Sequence, residues 1–270
     1  MQTFRREFNL LVLEIGKIYK QKKQGIDDAL VQPYHRHSIP KREYHLGVSF
    51  ANLSGRCETM GADQTIKTLW NELQKLLSQK VKGYMGFQNK PATVEEIRQF
   101  EEKMKLSLPS DLKEWYLCNN GEDLDYGISI MGFPFLSINE MYEQWKVWDD
   151  LREEWNEEEG YTSYPDGHIK KMYINRGWIP FSHDGVGNHI GIDLDPDTKG
   201  TYGQIINFGR DEENKFVIAP SLKEFLQLLI DFYKKPESLF VKERGNRITP
   251  QFSNQGIHPI DFLRSKITPY

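Results

Sequence analysis

Four aspartates and an asparagine crowd into residues 177–204: Asp184, Asn188, Asp193, Asp195 and Asp197, with His183 and His189 among them. Carboxylates at alternate positions can ligate a cation, and a carboxylate beside an imidazole can move protons. Asp193-x-Asp195-x-Asp197 has the one-three-five spacing of a calcium loop. That loop needs glycine at its sixth position and a bidentate glutamate at its twelfth, where Thr198 and Gln204 stand. Asp184 with His183 or His189 is a conceivable acid–base pair, but no serine or cysteine sits in a G-x-S-x-G elbow to be activated. Gly185-x-Gly187 lacks the third glycine and the helix of a dinucleotide site, and Gly200-x-x-Gly203 is not followed by Lys-Ser/Thr. A hydrolase using Asp184 or Asp193 is therefore the weakest functional reading. The stronger role for these side chains is to set turns by hydrogen bonding to nearby backbone. No catalytic residue, cofactor, metal or small-molecule substrate is expected.

The elements that must position them form a hairpin. Residues 178–181 are a bulky apolar strand, Asp184-Gly185 and Gly187-Asn188 are turn dipeptides, and Ile190, Ile192 and Leu194 alternate along a second strand. Further strands are expected at 204–208 and 215–219, separated by a turn at Gly209-Arg210-Asp211. Ser221 caps a last long helix through Phe225, Leu226, Leu229 and Phe232, which Pro236 stops.

Upstream, apolar spacing predicts helices over 3–23 and 65–80. Thr93 and Glu96 form a capping box for the next helix, and Ser110 caps another that ends in a left-handed turn at Asn119-Asn120-Gly121. Short strands are expected at 128–131 and 133–136. A helix over 139–159 carries Met141, Trp145, Trp148 and Leu151 on one stripe, with an acidic end at Glu153, Glu154, Glu157, Glu158 and Glu159. Those charges repel phosphate, so the tryptophans read as core packing and no direct nucleic-acid contact is expected.

The 270 residues suffice for one large domain or two small ones with a core, and 38% hydrophobic with 27% charged residues is an ordinary globular composition. The net charge of −4 is uneven: residues 1–90 carry 15 Lys and Arg against 8 Asp and Glu, a balance of +7, leaving −11 for the rest. The two cysteines, Cys57 and Cys118, lie far apart, which excludes a disulfide framework and fits a reducing, cytoplasmic location. The apolar run at 10–13 is too short to span a bilayer, and Glu14 interrupts it. His35-x-His37, with His45 and Cys57, lacks a second clean ligand pair for zinc.

A series of short segments resembles the SUKH superfamily, the Smi–Knr-type proteins. They are Pro91-Ala92-Thr93 with Glu95-Glu96-Ile97, Leu108-Pro109-Ser110-Asp111-Leu112, and Asn120-Gly121. Trp178-Ile179-Pro180-Phe181 follows, with Asp184-Gly185-x-Gly187-Asn188, Asp193-x-Asp195-Pro196, Gly203-Gln204-Ile205-Ile206, and Ser221-Leu222 with Phe225-Leu226. The resemblance implies an α+β fold with a central, mostly antiparallel sheet flanked by helices. It gives one SUKH-like domain over 65–235, between extensions at 1–64 and 236–270. It also implies a protein-binding role and no catalytic residues. The family-motif residues Trp178, Pro180, Asp184, Gly185, Gly187, Asn188, Asp193, Pro196 and Gly203 are then structural.

The main functional expectation from this resemblance is an immunity-type protein that neutralises a toxin, most naturally a nuclease, by direct binding. The acidic patch Glu153, Glu154, Glu157, Glu158 and Glu159 would face a basic partner. The alternative is a regulatory scaffold of the cell-wall-synthesis type.

Overall fold

Helix α1 (Ile66–Lys80) starts at Thr65, whose hydroxyl accepts the Thr68 amide at 3.2 Å. It opens the part of the chain that the computed structural model describes, which is residues 64–125, 128–155, 160–235, 240–244, 247–251 and 257–268. All lie within one compact unit, Ser49–Tyr270. The expected helix over 3–23, the histidines at 35, 37 and 45 with Cys57, and the stop at Pro236 fall outside the described residues.

Helix α2 (Val94–Met104) begins with the expected capping box: Thr93 Oγ accepts the Glu96 amide at 3.1 Å, and the Glu96 carboxylate accepts the Thr93 amide at 2.6 Å. Helix α3 (Ser110–Cys118) departs from expectation at both ends. Pro109 stands at the cap, with its φ of −57° already suited to helix entry, so Ser110 is the first helical residue and makes no capping bond. Asn119 is extended rather than left-handed; the left-handed residue is Gly121, with φ of +83°. A Cβ there would lie 2.4–2.8 Å from the backbone of residues 135–137, so close approach as well as φ demands glycine.

The strands expected at 128–131 and 133–136 shrink to isolated bridges, Ile130 with Phe133 and Phe135 with Ser182. Met131 and Gly132, at φ of 54° and 96°, make a tight two-residue turn. The buried Glu122 carboxylate explains the loss of ladder: it accepts the amides of Ile128, Ser129 and Phe135 at 3.0–3.2 Å, donors that a strand would have given its neighbour.

Helix α4 (Ile138–Trp155) buries Met141 and Trp145 and half-buries Trp148, Leu151 and Trp155, as the stripe predicts. After it come β1 (Thr162–Tyr164), β2 (Trp178–His183), β3 (Asn188–Asp193), β4 (Gln204–Gly209) and β5 (Asn214–Ala219). They form an open sheet in the order β1-β5-β4-β3-β2, in which β1 runs parallel to β5 and the other pairings are antiparallel. Helix α5 (Leu222–Tyr233) is capped by Ser221, whose hydroxyl accepts the Glu224 amide at 3.3 Å. A separate hairpin, β6 (Phe240–Arg244) with β7 (Arg247–Gln251), leads to α6 (Pro259–Ile267). The α+β architecture with a mostly antiparallel sheet and flanking helices is thus as the SUKH resemblance implies.

Both faces of the sheet are covered. Ile179, Phe181, Ile190, Ile192, Phe216 and Ile218 join the main core with α1, α3 and α5. Trp178, Ile206 and Phe208 pack with Ile169 on a smaller core. This double burial is why β3 is buried at every position, although its sequence alternates.

Candidate functional site

The β2–β3 turn is built around Asp184. One carboxylate oxygen accepts the amides of Val186 at 2.8 Å and Asn188 at 3.0 Å; the other accepts Asn188 Nδ2 at 2.7 Å and lies 3.3 Å from His258 Nε2. Gly185 and Gly187 supply the left-handed conformations, at φ of 81° and 106°. Asn188 Oδ1 then accepts the Asp211 amide at 2.8 Å, and the Arg210 amide donates to Gly187 O at 3.0 Å, so the β2–β3 and β4–β5 turns are stitched side by side. Burial pushes the Asp184 carboxyl up, but the bonds from His258, Val186 and Asn188 outweigh it and hold it well below the usual carboxylate range. A carboxylate held that low is a poor proton acceptor near neutrality.

The imidazole beside Asp184 is neither His183 nor His189. His183 Nδ1 accepts the Gly185 amide at 3.0 Å within its own turn, and His189 Nε2 meets Gln144 Oε1 at 3.1 Å. Burial lowers both rings' pKa values, that of His189 to about 3, so both are neutral. The partner is His258, just ahead of α6 and 74 positions from Asp184, in a segment whose sequence reads as polar and turn-rich apart from a short helix candidate at 260–263.

Asp193, Asp195 and Asp197 diverge. Asp193 accepts the Asp195 amide at 3.0 Å and Gln204 Nε2 at 2.9 Å. Asp195 pairs with Lys170 at 2.6 Å and Asn175 at 3.0 Å, while Asp197 accepts the Thr198 amide at 2.7 Å. Among the described residues no group of three or more His, Cys, Asp or Glu is arranged to hold a metal ion. Burial raises the Asp193 carboxyl to about 6, against the opposing bonds from Gln204 and the Asp195 amide. Gly203 lies at φ of 87° and its amide donates to Asp193 O at 2.8 Å, closing the loop that Pro196 and Gly200 line. Trp178 packs on Phe208 at 5.7 Å, and Pro180 sits where β2 shifts register against β3.

Three buried ionisable groups carry no local signal in the sequence. Burial raises Glu122 to about 7 despite its five hydrogen-bond donors. Lys215, lowered by burial to about 8, lies 4.5 Å from the Tyr161 ring and 5.2 Å from that of Trp178. Glu212 pairs with Arg264 of α6. On the surface, a cleft of about 440 Å³ separates α2 from α4, with Phe100, Ile138 and Tyr142 among its walls. Of the acidic patch, Glu153 is exposed; the Glu154 side chain and Glu157, Glu158 and Glu159 lie outside the described residues.

Residues 91–228, which hold α2 to α4, the five-stranded sheet and the first half of α5, match the model of the SMI1/KNR4 family (SUKH-1). The chain belongs to this family. The cell wall biosynthesis/cell cycle regulator smi1 of Schizosaccharomyces pombe is 33% identical over 152 residues, covering 51% of this chain and 30% of that protein. The cell wall assembly regulator SMI1 of Saccharomyces cerevisiae is 30% identical over 171 residues, covering 50% of this chain and 34% of that protein. A glucan synthesis regulatory protein of Neurospora crassa is 25% identical over 202 residues, covering 62% of this chain and 38% of that protein. The chain thus spans about a third of the length of these curated relatives.

These SMI1/KNR4 names overturn the expected role in toxin neutralisation and favour the regulatory alternative. Among the described residues, no helix is long and apolar enough to cross a membrane.

Proposed function

We propose that this chain is a regulatory protein-binding module of the kind named for cell-wall synthesis, and that it works without catalysis. The observation that carries this reading is the naming of its SMI1/KNR4 relatives as regulators of wall and glucan synthesis. The chemistry of the central hairpin supports it. Asp184 and Asp193, the carboxylates best placed for hydrolysis, are buried and hydrogen-bonded into their own turns. The binding domain spans 65–235, the segments at 1–64 and 236–270 are extensions to it, and the partner is another protein.

Deletion of the gene in its own host tests the reading, with cell-wall polymer content and growth on a wall-binding dye as readouts. The expected result is an altered wall and dye sensitivity, restored both by the wild-type chain and by a folded Asp193→Asn chain. An unchanged wall removes the regulatory reading. Failure of a folded Asp193→Asn chain to restore growth points instead to carboxylate chemistry.

A further inference from the structure

We propose that the surface beneath α6 is a helix-docking groove, and that α6 is its resident ligand in cis. The proposal rests on the reading of this chain as a binding module and names the surface and the kind of partner.

Helix α6 presents Ile260, Leu263, Arg264 and Ile267, the i, i+3, i+4 and i+7 positions by which an amphipathic helix reads a groove. Ile260 and Leu263 are completely buried, and Ile267 packs against the same core. Phe262 meets Phe232 of α5 edge-on at 5.8 Å. The Arg264 guanidinium lies 5.5 Å from the Phe216 ring of β5, donates to the fully buried Glu212 carboxylate, and holds Asp261 at 2.8 Å. At the other end His258 reaches Asp184 at 3.3 Å and packs 5.3 Å from the Phe133 ring. His258 and Arg264 of the α6 segment thus meet carboxylates of the two stitched hairpin turns, with an aromatic floor between them.

Like the nine-residue α3, α6 is too short to hold a helix alone in water, so its order is borrowed from the surface it packs on. Two features set it apart from an ordinary core helix. It lies beyond residue 228, where the family match ends. Among the described residues, the β6–β7 hairpin that delivers it pairs only with itself and adds no strand to the main sheet. The groove therefore recognises an amphipathic helix with apolar residues at i, i+3 and i+7 and arginine at i+4. A partner helix of that pattern competes with α6 for the same seat.

The test uses the full chain carrying Leu263→Asp and Arg264→Glu, which expels α6, and a fluorescein-labelled peptide of residues 257–268 as the probe. Fluorescence anisotropy should show the peptide binding this variant at least about tenfold more tightly than the wild-type chain, whose groove is occupied. A peptide carrying Arg264→Glu should lose that binding. Three results overturn the proposal: loss of cooperative unfolding in the variant, which makes α6 an obligate core helix; no peptide binding to a folded variant; or equal binding by the Arg264→Glu peptide. None of these bears on the wall phenotype, so the two proposals fail separately.

Discussion

Asp184 and Asp193 stand nine positions apart in one hairpin, both largely buried, yet burial prevails at only one of them. Asp184 has four donors around its two oxygens, including His258, whereas Asp193 has two and the negative charge of Asp195 close by. Asp184→Ala should therefore cost on the order of 3 kcal/mol, read as a lower urea midpoint, because it strips the turn of its acceptor and leaves His258 unpaired. A purely catalytic Asp184 would leave that midpoint in place. For Asp193 the pH dependence runs the other way. Its folded pKa of about 6 lies above the ordinary carboxylate value of 3.8, so the native state binds the proton more tightly. Stability should fall as pH rises from about 4 to 6, by roughly 2–3 kcal/mol in full, and stay low above that window. Glu122, raised to about 7, slopes the same way, while the depressed Asp184 matters only below about 4. Asp193→Asn should lower stability overall, since its amide faces Gln204 Nε2, yet reduce the difference between urea midpoints at pH 4.5 and pH 7. An unchanged difference would leave Glu122 as its source. The turn-setting work of Asp184 and Asn188 was legible in D-G-x-G-N, because those bonds are local. His258 was not, because nothing in a sequence announces a contact 74 positions away.

At the level of elements, what could be read depended on whether backbone donors stayed within the element. The N-caps and apolar periods of α1, α2 and α5 are local, and those helices fall within a residue of expectation. The strands at 128–136 failed because a distant carboxylate, Glu122, takes their amides. β1 escaped notice since three residues carry no usable period. Glycine shows the same division. Gly185 and Gly191 both sit in the family motif region, but the first is a local requirement and the second a tertiary one. A Cβ on Gly185 meets nothing within 4 Å, so Gly185→Ala should cost only the left-handed penalty of about 1–2 kcal/mol. A Cβ on Gly191 would lie 2.3 Å from Ile179 O and 2.7 Å from the Phe208 ring. Gly191→Ala must therefore part β3 from β2, and a loss of about 3 kcal/mol or more is expected in urea denaturation. Equal losses from the two substitutions would mean that the β2–β3 contact yields more easily than its geometry implies.

Across the whole molecule, the family match and the cooperative core do not coincide. The match begins at residue 91, yet α1 precedes it and packs along α3 and α5 with Ile66, Leu69, Trp70, Leu73 and Leu77 all buried. Trp70 meets Trp115 edge-on at 5.4 Å and Phe135 at 5.6 Å, and Trp115 in turn stacks on Phe135 at 4.1 Å. The aromatic centre is thus shared between a helix outside the match and two segments inside it. Periodicity revealed that α1 is an amphipathic helix, but not which surface it covers, since that is decided by α5 some 150 residues later. If α1 belongs to the folding unit, Trp70→Ala should cost about 3–5 kcal/mol, as much as Trp115→Ala, in a single cooperative transition. Trp70→Phe should cost less, because it keeps the ring contacts and removes a buried indole N–H that has no acceptor. An early, separate transition in Trp70→Ala, with the main unfolding step unmoved, would make α1 an accessory helix and return the unit to the family's own boundary.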